Sequence, residues 1–325
     1  MKILITRKIP EAGLIRLKDA GHTVTQHTRK SELTAEELIR ACKNHDALMS
    51  VGHNTLDEPF FRECRHLRAI SLMSAGYDNV DISAATRLGI PIGHTPGVLS
   101  SVTSDIALLL MLAVSRNAFY MHHTIARGEW GFFEPTANLG IELYGKTLGI
   151  YGLGNIGFEM ARKSAAVFDM KVIYHNRTRN EHAEKELDAR PVSFDELLQI
   201  SDVLSVHANL SSQTRGVFNM DAFSKMKRSV IFINTARGAI HNETDLIEAL
   251  KKGLIWGAGL DVTNPEPMAS DNPLLTMPNV CVLPHIGSAT KETRAAMATR
   301  AADNIIAGLK GEQMPYVVNP GVYEH

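Results

Sequence analysis

Thr147-Leu148-Gly149-Ile150-Tyr151, followed at once by Gly152-Leu153-Gly154-Asn155-Ile156-Gly157, is the stretch that decides the fold. G-x-G-x-x-G spacing alone is weak; set after a strand and opening a helix, it reads as the phosphate-binding turn of a dinucleotide fold. Gly152 allows the tight turn, Gly154 lets backbone approach a pyrophosphate, and Gly157 lets the helix pack on the strand. The helix N-terminus faces the phosphates with free N–H groups. Gly152, Leu153, Gly154, Asn155, Ile156 and Gly157 are therefore expected cofactor contacts.

The end of the next strand selects the dinucleotide. NAD-binding folds place an acid there, bonded to the ribose 2′-hydroxyl. This chain reads Tyr174-His175-Asn176-Arg177-Thr178. Asn176 would not repel a 2′-phosphate, Arg177 could hold one, and Thr178 offers a hydroxyl. NADP is the expected cofactor, with NAD as the second choice.

Outward from this motif, strands and helices alternate on both sides. Before it, strands are expected at Lys2–Thr6, His22–Thr28, Ala47–Val51, Leu67–Ser74 and Ile90–Ile92. After Tyr151 they are expected at Lys171–His175, Asp202–His207, Val230–Asn234, Gly257–Asp261 and Val280–Pro284. Such alternation implies parallel sheets covered by helices. Thr34 with Glu37, Ser193 with Glu196, and Asn242 with Asp245 resemble helix-starting capping boxes. Ser100 to Arg127 reads as one long helix, apolar on most sides, which needs cover all round from the other domain or another subunit. The last long helix, from Lys291 to about Leu309, is expected to return to the first unit. The layout is two α/β units: 1–98 plus 288–325 as a substrate domain, and 99–287 as the dinucleotide domain.

Composition bounds the rest. With 325 residues, 44% hydrophobic and 21% charged, the chain can bury two sizeable cores. A formal net charge of -1 gives no basic face for nucleic acid or an anionic membrane. The three cysteines are too few and too irregular for a disulfide framework or a zinc site, so reduced thiols in the cytoplasm and no metal are expected. MKILITRKIP reads as a first strand and not a signal peptide.

Three further segments carry chemistry: Asn234-Thr235-Ala236-Arg237-Gly238, Gly259-Leu260-Asp261-Val262 leading to Pro265-Glu266-Pro267, and Leu283-Pro284-His285-Ile286-Gly287-Ser288-Ala289-Thr290. With the glycine motif, in this order, they resemble the D-isomer-specific 2-hydroxyacid dehydrogenase family, most like its glyoxylate/hydroxypyruvate reductases. ITRKIP at the start, GLDVTNPEP, LPHIGSAT and the late GEQMP carry the closer match. The resemblance covers nearly the whole chain. It implies two Rossmann-like/flavodoxin-like domains of the formate/glycerate dehydrogenase kind.

It also implies roles. Arg237 would grip the carboxylate of a 2-keto acid and polarise the adjacent carbonyl with its fixed donor fork. His285 would give a proton to the carbonyl oxygen as hydride arrives, and Glu266 would hold the imidazole. Ser74, Ala75 and Gly76 would meet the substrate carboxylate, the last two through backbone N–H groups. Thr103, His207, Ala208, Thr214, Thr235, Ala236, Asp261 and Ser288 would approach the cofactor, Asp261 at the nicotinamide carboxamide. Asn209, His241 and Asp105 stand where the family more often carries proline, an apolar residue and glutamate. A 2-ketogluconate reductase or phosphoglycerate dehydrogenase of the same family, or a dinucleotide-sensing corepressor on the same fold, are the alternatives. A homodimer built on the Ser100–Arg127 helix and the segment to about Leu143 is expected.

Overall fold

The structure, a computed structural model, describes residues 1–324. The chain divides into two compact units. One comprises Met1–Leu99 and the chain from Ser288 onward; the other is Ser100–Gly287.

In the first unit the strands are β1 (Lys2–Ile5), β2 (Thr23–Gln26), β3 (Ala47–Ser50), β4 (Ala69–Leu72) and β5 (Ile92–Gly93). They form one parallel sheet in the order β2-β1-β3-β4-β5, the flavodoxin-like arrangement. β3 and β4 are buried throughout, as strands covered on both faces must be. The helix Lys291–Lys310 returns to pack on β3, β4 and the helix Glu11–Asp19. Its buried Asn304 donates to Ser71 Oγ and to the His94 carbonyl.

The second unit holds β6 (Thr147–Tyr151), β7 (Lys171–His175), β8 (Arg190–Pro191), β9 (Val203–Val206), β10 (Ile231–Asn234), β11 (Gly257–Leu260) and β12 (Val280–Val282). Their order is β12-β11-β10-β9-β6-β7-β8, all parallel. β6 lies inside the sheet between β9 and β7, and the chain reverses direction across the sheet between β6 and β9. In such sheets ligands bind beyond the strand C-termini at that reversal. β8 has only two residues and contains proline, which only an edge strand tolerates; no strand is expected there from its pattern.

The single helix expected from Ser100 to Arg127 is instead two, Ser100–Ser115 and Ala118–Ala126, bent by 63°. Asn117 takes the left-handed conformation, φ 51°, which asparagine tolerates better than most residues. The Ser115 carbonyl leaves the helix ladder to accept from Ile141 N–H at 2.8 Å. The first helix covers the sheet of its own unit: a Cβ at Gly259 would lie 2.8 Å from Leu110 Cβ, and one at Gly257 2.8 Å from Val114 Cγ1. Glycines in β11 thus let the helix settle on the strand. Among the described residues no single helix is long and apolar enough to cross a membrane.

Candidate active site

The glycine loop lies at the β6–β9 reversal and lines a cleft of about 860 Å³. Gly152 has φ 96°, and a Cβ there would fall 2.5 Å from Ala208 N. A Cβ at Gly157 would meet the Gly152 carbonyl oxygen at 2.6 Å. Both positions therefore admit only hydrogen. Asn155, Ile156 and Gly157 open the helix Asn155–Phe168, and their N–H groups have no acceptor among the described residues. Unpaired amides at a helix N-terminus fit a pyrophosphate. Leu153 N–H differs: it donates to Asn176 Oδ1 at 2.6 Å, while Asn180 Nδ2 donates to the Leu153 carbonyl at 2.9 Å. Asn176 thus braces the loop as well as lining the cleft.

Arg177 and Thr178 sit exposed at the same mouth, and Arg177 makes no hydrogen bond or ion pair among the described residues. Arg179, two positions on, lines the cleft too but is held by Glu184. Arg179 and Asn180 were not singled out from the sequence, although the run Asn176-Arg177-Thr178-Arg179-Asn180 contains them. Opposite, His207 and Ala208 follow β9. The His207 ring bonds Ser205 Oγ at 2.8 Å, and burial pushes it down to about 3, so it is neutral. Thr214 lines the cleft with its hydroxyl engaged locally, donating to the Asn209 carbonyl and accepting from Ser211 N–H.

Arg237 stands at the end of the turn after β10. Asn234 organises that turn: its Oδ1 accepts from Ala236 N–H, and its Nδ2 donates to the Arg237 carbonyl at 2.9 Å and to His241 Nδ1 at 3.0 Å. Thr235 Oγ1 lies 3.4 Å from His207 Nδ1, joining the turn to the β9 end. The arginine itself donates to the Ala236 carbonyl at 2.8 Å. A Cβ on Gly238 would strike the Thr263 carbonyl oxygen at 2.0 Å, so the Arg237 turn packs directly on the loop that carries Glu266.

His285 Nδ1 lies 2.6 Å from Glu266 Oε1. A carboxylate only accepts, so Nδ1 carries the proton and the carboxylate fixes the ring's tautomer and orientation. His285 adopts φ 53°, a left-handed conformation uncommon for a non-glycine residue. Asp261 holds the backbone beyond it, accepting from Ile286 N–H at 2.8 Å and Gly287 N–H at 2.7 Å. Burial pushes the Asp261 carboxyl up, opposed by those two amides. Asp261 and Thr103 both lie against Gly287, within 3.1 Å of a Cβ built there.

Ser74, Ala75, Gly76 and Ser288 belong to the other unit. Thr95 N–H donates to the Ser74 carbonyl, His94 Nδ1 to the Ala75 carbonyl, and Ser74 Oγ to the Gly76 carbonyl. The amides of Ala75 and Gly76 have no acceptor among the described residues.

A doubly wound nucleotide sheet, a glycine turn that a side chain would fill, and a carboxylate-held imidazole define a nicotinamide-dependent oxidoreductase. Residues 108–287 match the model of the D-isomer specific 2-hydroxyacid dehydrogenase NAD-binding domain. The chain is 40% identical to glyoxylate/hydroxypyruvate reductase B of Escherichia fergusonii over 98% of each chain. It is 37% identical to the glyoxylate reductase of Korarchaeum cryptofilum, over 99% of this chain and 96% of the relative. Among solved structures, a Thermus thermophilus protein matches with a TM-score of 0.91 and 38% identity, covering 98% of this chain and 100% of that one. The NADPH-dependent glyoxylate/hydroxypyruvate reductase of Sinorhizobium meliloti, in complex with NADP and malonate, matches with a TM-score of 0.86 and 30% identity, covering 99% and 97%. This chain belongs to the D-isomer specific 2-hydroxyacid dehydrogenase family and is an NAD(P)-dependent oxidoreductase.

Proposed function

We propose that this enzyme reduces glyoxylate and hydroxypyruvate to glycolate and D-glycerate, with NADPH preferred over NADH. The observation that carries the reading is the 2.6 Å His285–Glu266 pair, a carboxylate-held imidazole of the kind that proton transfer to a carbonyl requires. The bound nicotinamide supplies the hydride that reaches the substrate's carbonyl carbon. His285 Nε2 delivers a proton to the carbonyl oxygen as negative charge develops there, and takes it back in oxidation. Glu266 fixes the ring and stabilises the imidazolium. Arg237 meets the substrate carboxylate and carbonyl oxygen; a planar fork serves both where lysine could not. The Ala75 and Gly76 amides take a substrate carboxylate, making Met1–Leu99 with the chain from Ser288 the substrate domain and Ser100–Gly287 the dinucleotide domain.

The preference for NADPH rests on Arg177, a cation with no partner among the described residues that lines the cleft just beyond β7. Thr178 beside it offers a hydroxyl, and no acid stands in the segment 176–180. The thiols of Cys42, Cys64 and Cys281 are free, in keeping with a cytoplasmic protein.

A panel of kcat/KM values tests the reading, using glyoxylate, hydroxypyruvate, pyruvate and 2-ketogluconate with each cofactor. The expected order puts glyoxylate and hydroxypyruvate first, with NADPH at least about tenfold ahead of NADH, the worth of one charge-assisted phosphate contact. His285→Ala should lower kcat by about 10²–10⁴ with NADPH affinity retained. Turnover of 2-ketogluconate above both smaller acids would overturn the substrate assignment. No turnover of any acid by a folded, NADPH-binding protein would favour a sensor.

A further inference from the structure

We propose that His94 is a positioning residue for substrate: from behind the Ser74–Tyr77 loop it fixes the peptide whose amide receives the carboxylate. The inference rests on the reading that the Ala75 and Gly76 amides hold the substrate carboxylate.

The argument begins with peptide geometry. In a planar trans peptide the carbonyl of one residue and the amide N–H of the next point in opposite directions. Cis bonds occur in this chain only at Asn264–Pro265 and Glu266–Pro267 among the described residues, so the loop peptides are trans. Three consecutive loop carbonyls each have a donor. Thr95 N–H donates to Ser74 O at 2.8 Å. His94 Nδ1 donates to Ala75 O at 2.9 Å, and Ser74 Oγ donates to Gly76 O at 2.7 Å. Each bond fixes one peptide plane and turns the next amide the other way. The amides so turned are those of Ala75, Gly76 and Tyr77, and none has an acceptor among the described residues. Successive N–H groups held without acceptors form an anion-binding concavity.

His94 is the one member of this clamp that acts through a side chain from another strand end. It follows β5, and its backbone N–H is tied to the Tyr316 carbonyl at 3.0 Å, which anchors the residue independently of the loop. Its ring meets Tyr77 edge-on at 5.6 Å. A carbonyl oxygen can only accept, so Nδ1 carries the proton. Burial, and then the nearby Arg300 charge, push the imidazole down, so the ring donates in its neutral form. A donor on Ala75 O also polarises the Ala75–Gly76 peptide and strengthens the Gly76 N–H as a donor. The pair His94-Thr95 therefore builds, from behind, the surface that substrate meets from the front.

This device predicts a particular kinetic signature. A carboxylate contact made equally in ground and transition states changes KM and leaves kcat alone. The test uses the full-length enzyme with NADPH bound, glyoxylate as substrate and the non-reactive diacid oxalate as probe. His94→Phe keeps a ring against Tyr77 but removes the donor. The expected result is a rise of about tenfold in KM for glyoxylate and in Kd for oxalate, kcat within about twofold, and unchanged affinity for NADPH. His94→Asn restores an N–H donor and should recover a good part of the loss, which a purely structural role would not show. Gly76→Pro deletes the amide itself and serves as the control on the loop reading. If Gly76→Pro weakens oxalate while His94→Phe does not, the role of His94 is overturned and the loop reading stands. If neither weakens it, the loop reading falls and the inference with it. Should His94→Phe fail to fold, the oxalate Kd of His94→Asn and His94→Ala decides: equal values overturn the proposal, and tighter binding by His94→Asn supports it.

Discussion

At the residue scale, the neighbours of the candidate catalytic groups matter as much as the groups themselves. Arg237, Glu266 and His285 stand out in the sequence as candidates because each sits in a motif with a recognisable order. Asn234 and His241 were not legible as a pair, since an amide and a histidine seven positions apart announce no contact. The fold brings them to 3.0 Å, where they hold the Arg237 turn. His241 is buried and its Nε2 has no partner among the described residues. Burial pushes it down to about 4. The unfolded chain carries this histidine near its ordinary value of about 6.5. Between those values the unfolded state binds a proton that the native state does not, so stability falls as pH falls. The full effect approaches about 3 kcal/mol at pH 4 and vanishes above about pH 7. His241→Phe is expected to flatten the dependence of Tm on pH between 7 and 4.5 by several degrees. The slope is the readout, because Phe also deprives Asn234 of an acceptor. Parallel pH curves for the two proteins would show that His241 is not the group involved.

Elements follow their sequence signals where those signals are local. The Thr34–Glu37 capping box forms in full, with bonds of 3.2 and 3.0 Å in the two directions. Ser193 accepts from Glu196 N–H, but the Glu196 carboxylate pairs with Arg190 and not with the cap. The Asp245 carboxylate likewise goes to Met220 N–H. Side chains of that kind are settled by what lies beside the helix, which spacing does not contain. The glycine loop is the opposite case, because its constraint is written in the absence of side chains. Gly157→Ala places a methyl 2.6 Å from the Gly152 carbonyl, and backbone must move to admit it. NADPH affinity, followed by quenching of protein fluorescence, should fall at least about tenfold, while the far-ultraviolet dichroism remains native. Wild-type affinity in that variant would mean the helix does not pack on the loop as described.

On the scale of the whole molecule, the segment 125–144 of the dinucleotide unit stands out. Trp130, Phe132 and Phe133 are each more than three-quarters exposed, and Ile125, Leu139 and Tyr144 are more than half exposed. An exposed apolar group of this size marks an interface. A two-fold homodimer that buries it is the assembly we propose, since a self-complementary patch closes with one symmetric contact. Light scattering at micromolar concentration should give twice the chain mass of 35.7 kDa. Phe132→Asp with Phe133→Asp should shift that value to the monomer. A monomeric wild-type enzyme would refute the assembly.

Much of this protein was determined by sequence alone. The glycine spacing and the strand–helix alternation specify two parallel sheets, because turn geometry and hydrophobic period are properties of short stretches. Residue order likewise marks Arg237, Glu266 and His285 as a candidate set. Tertiary structure decided the rest, because the deciding contacts join residues far apart in the chain. It broke the Ser100–Arg127 run at Asn117 when the Ser115 carbonyl found Ile141. It gave β8 an edge position that a two-residue strand cannot signal. It also gave the Leu153 amide an acceptor in Asn176 Oδ1, twenty-three residues along the chain. Behind the Ser74–Tyr77 loop it set His94, nineteen residues beyond Ala75, whose part rests on a bond from ring nitrogen to backbone carbonyl. Such bonds depend on where strand ends meet, and no local pattern of residue types encodes that.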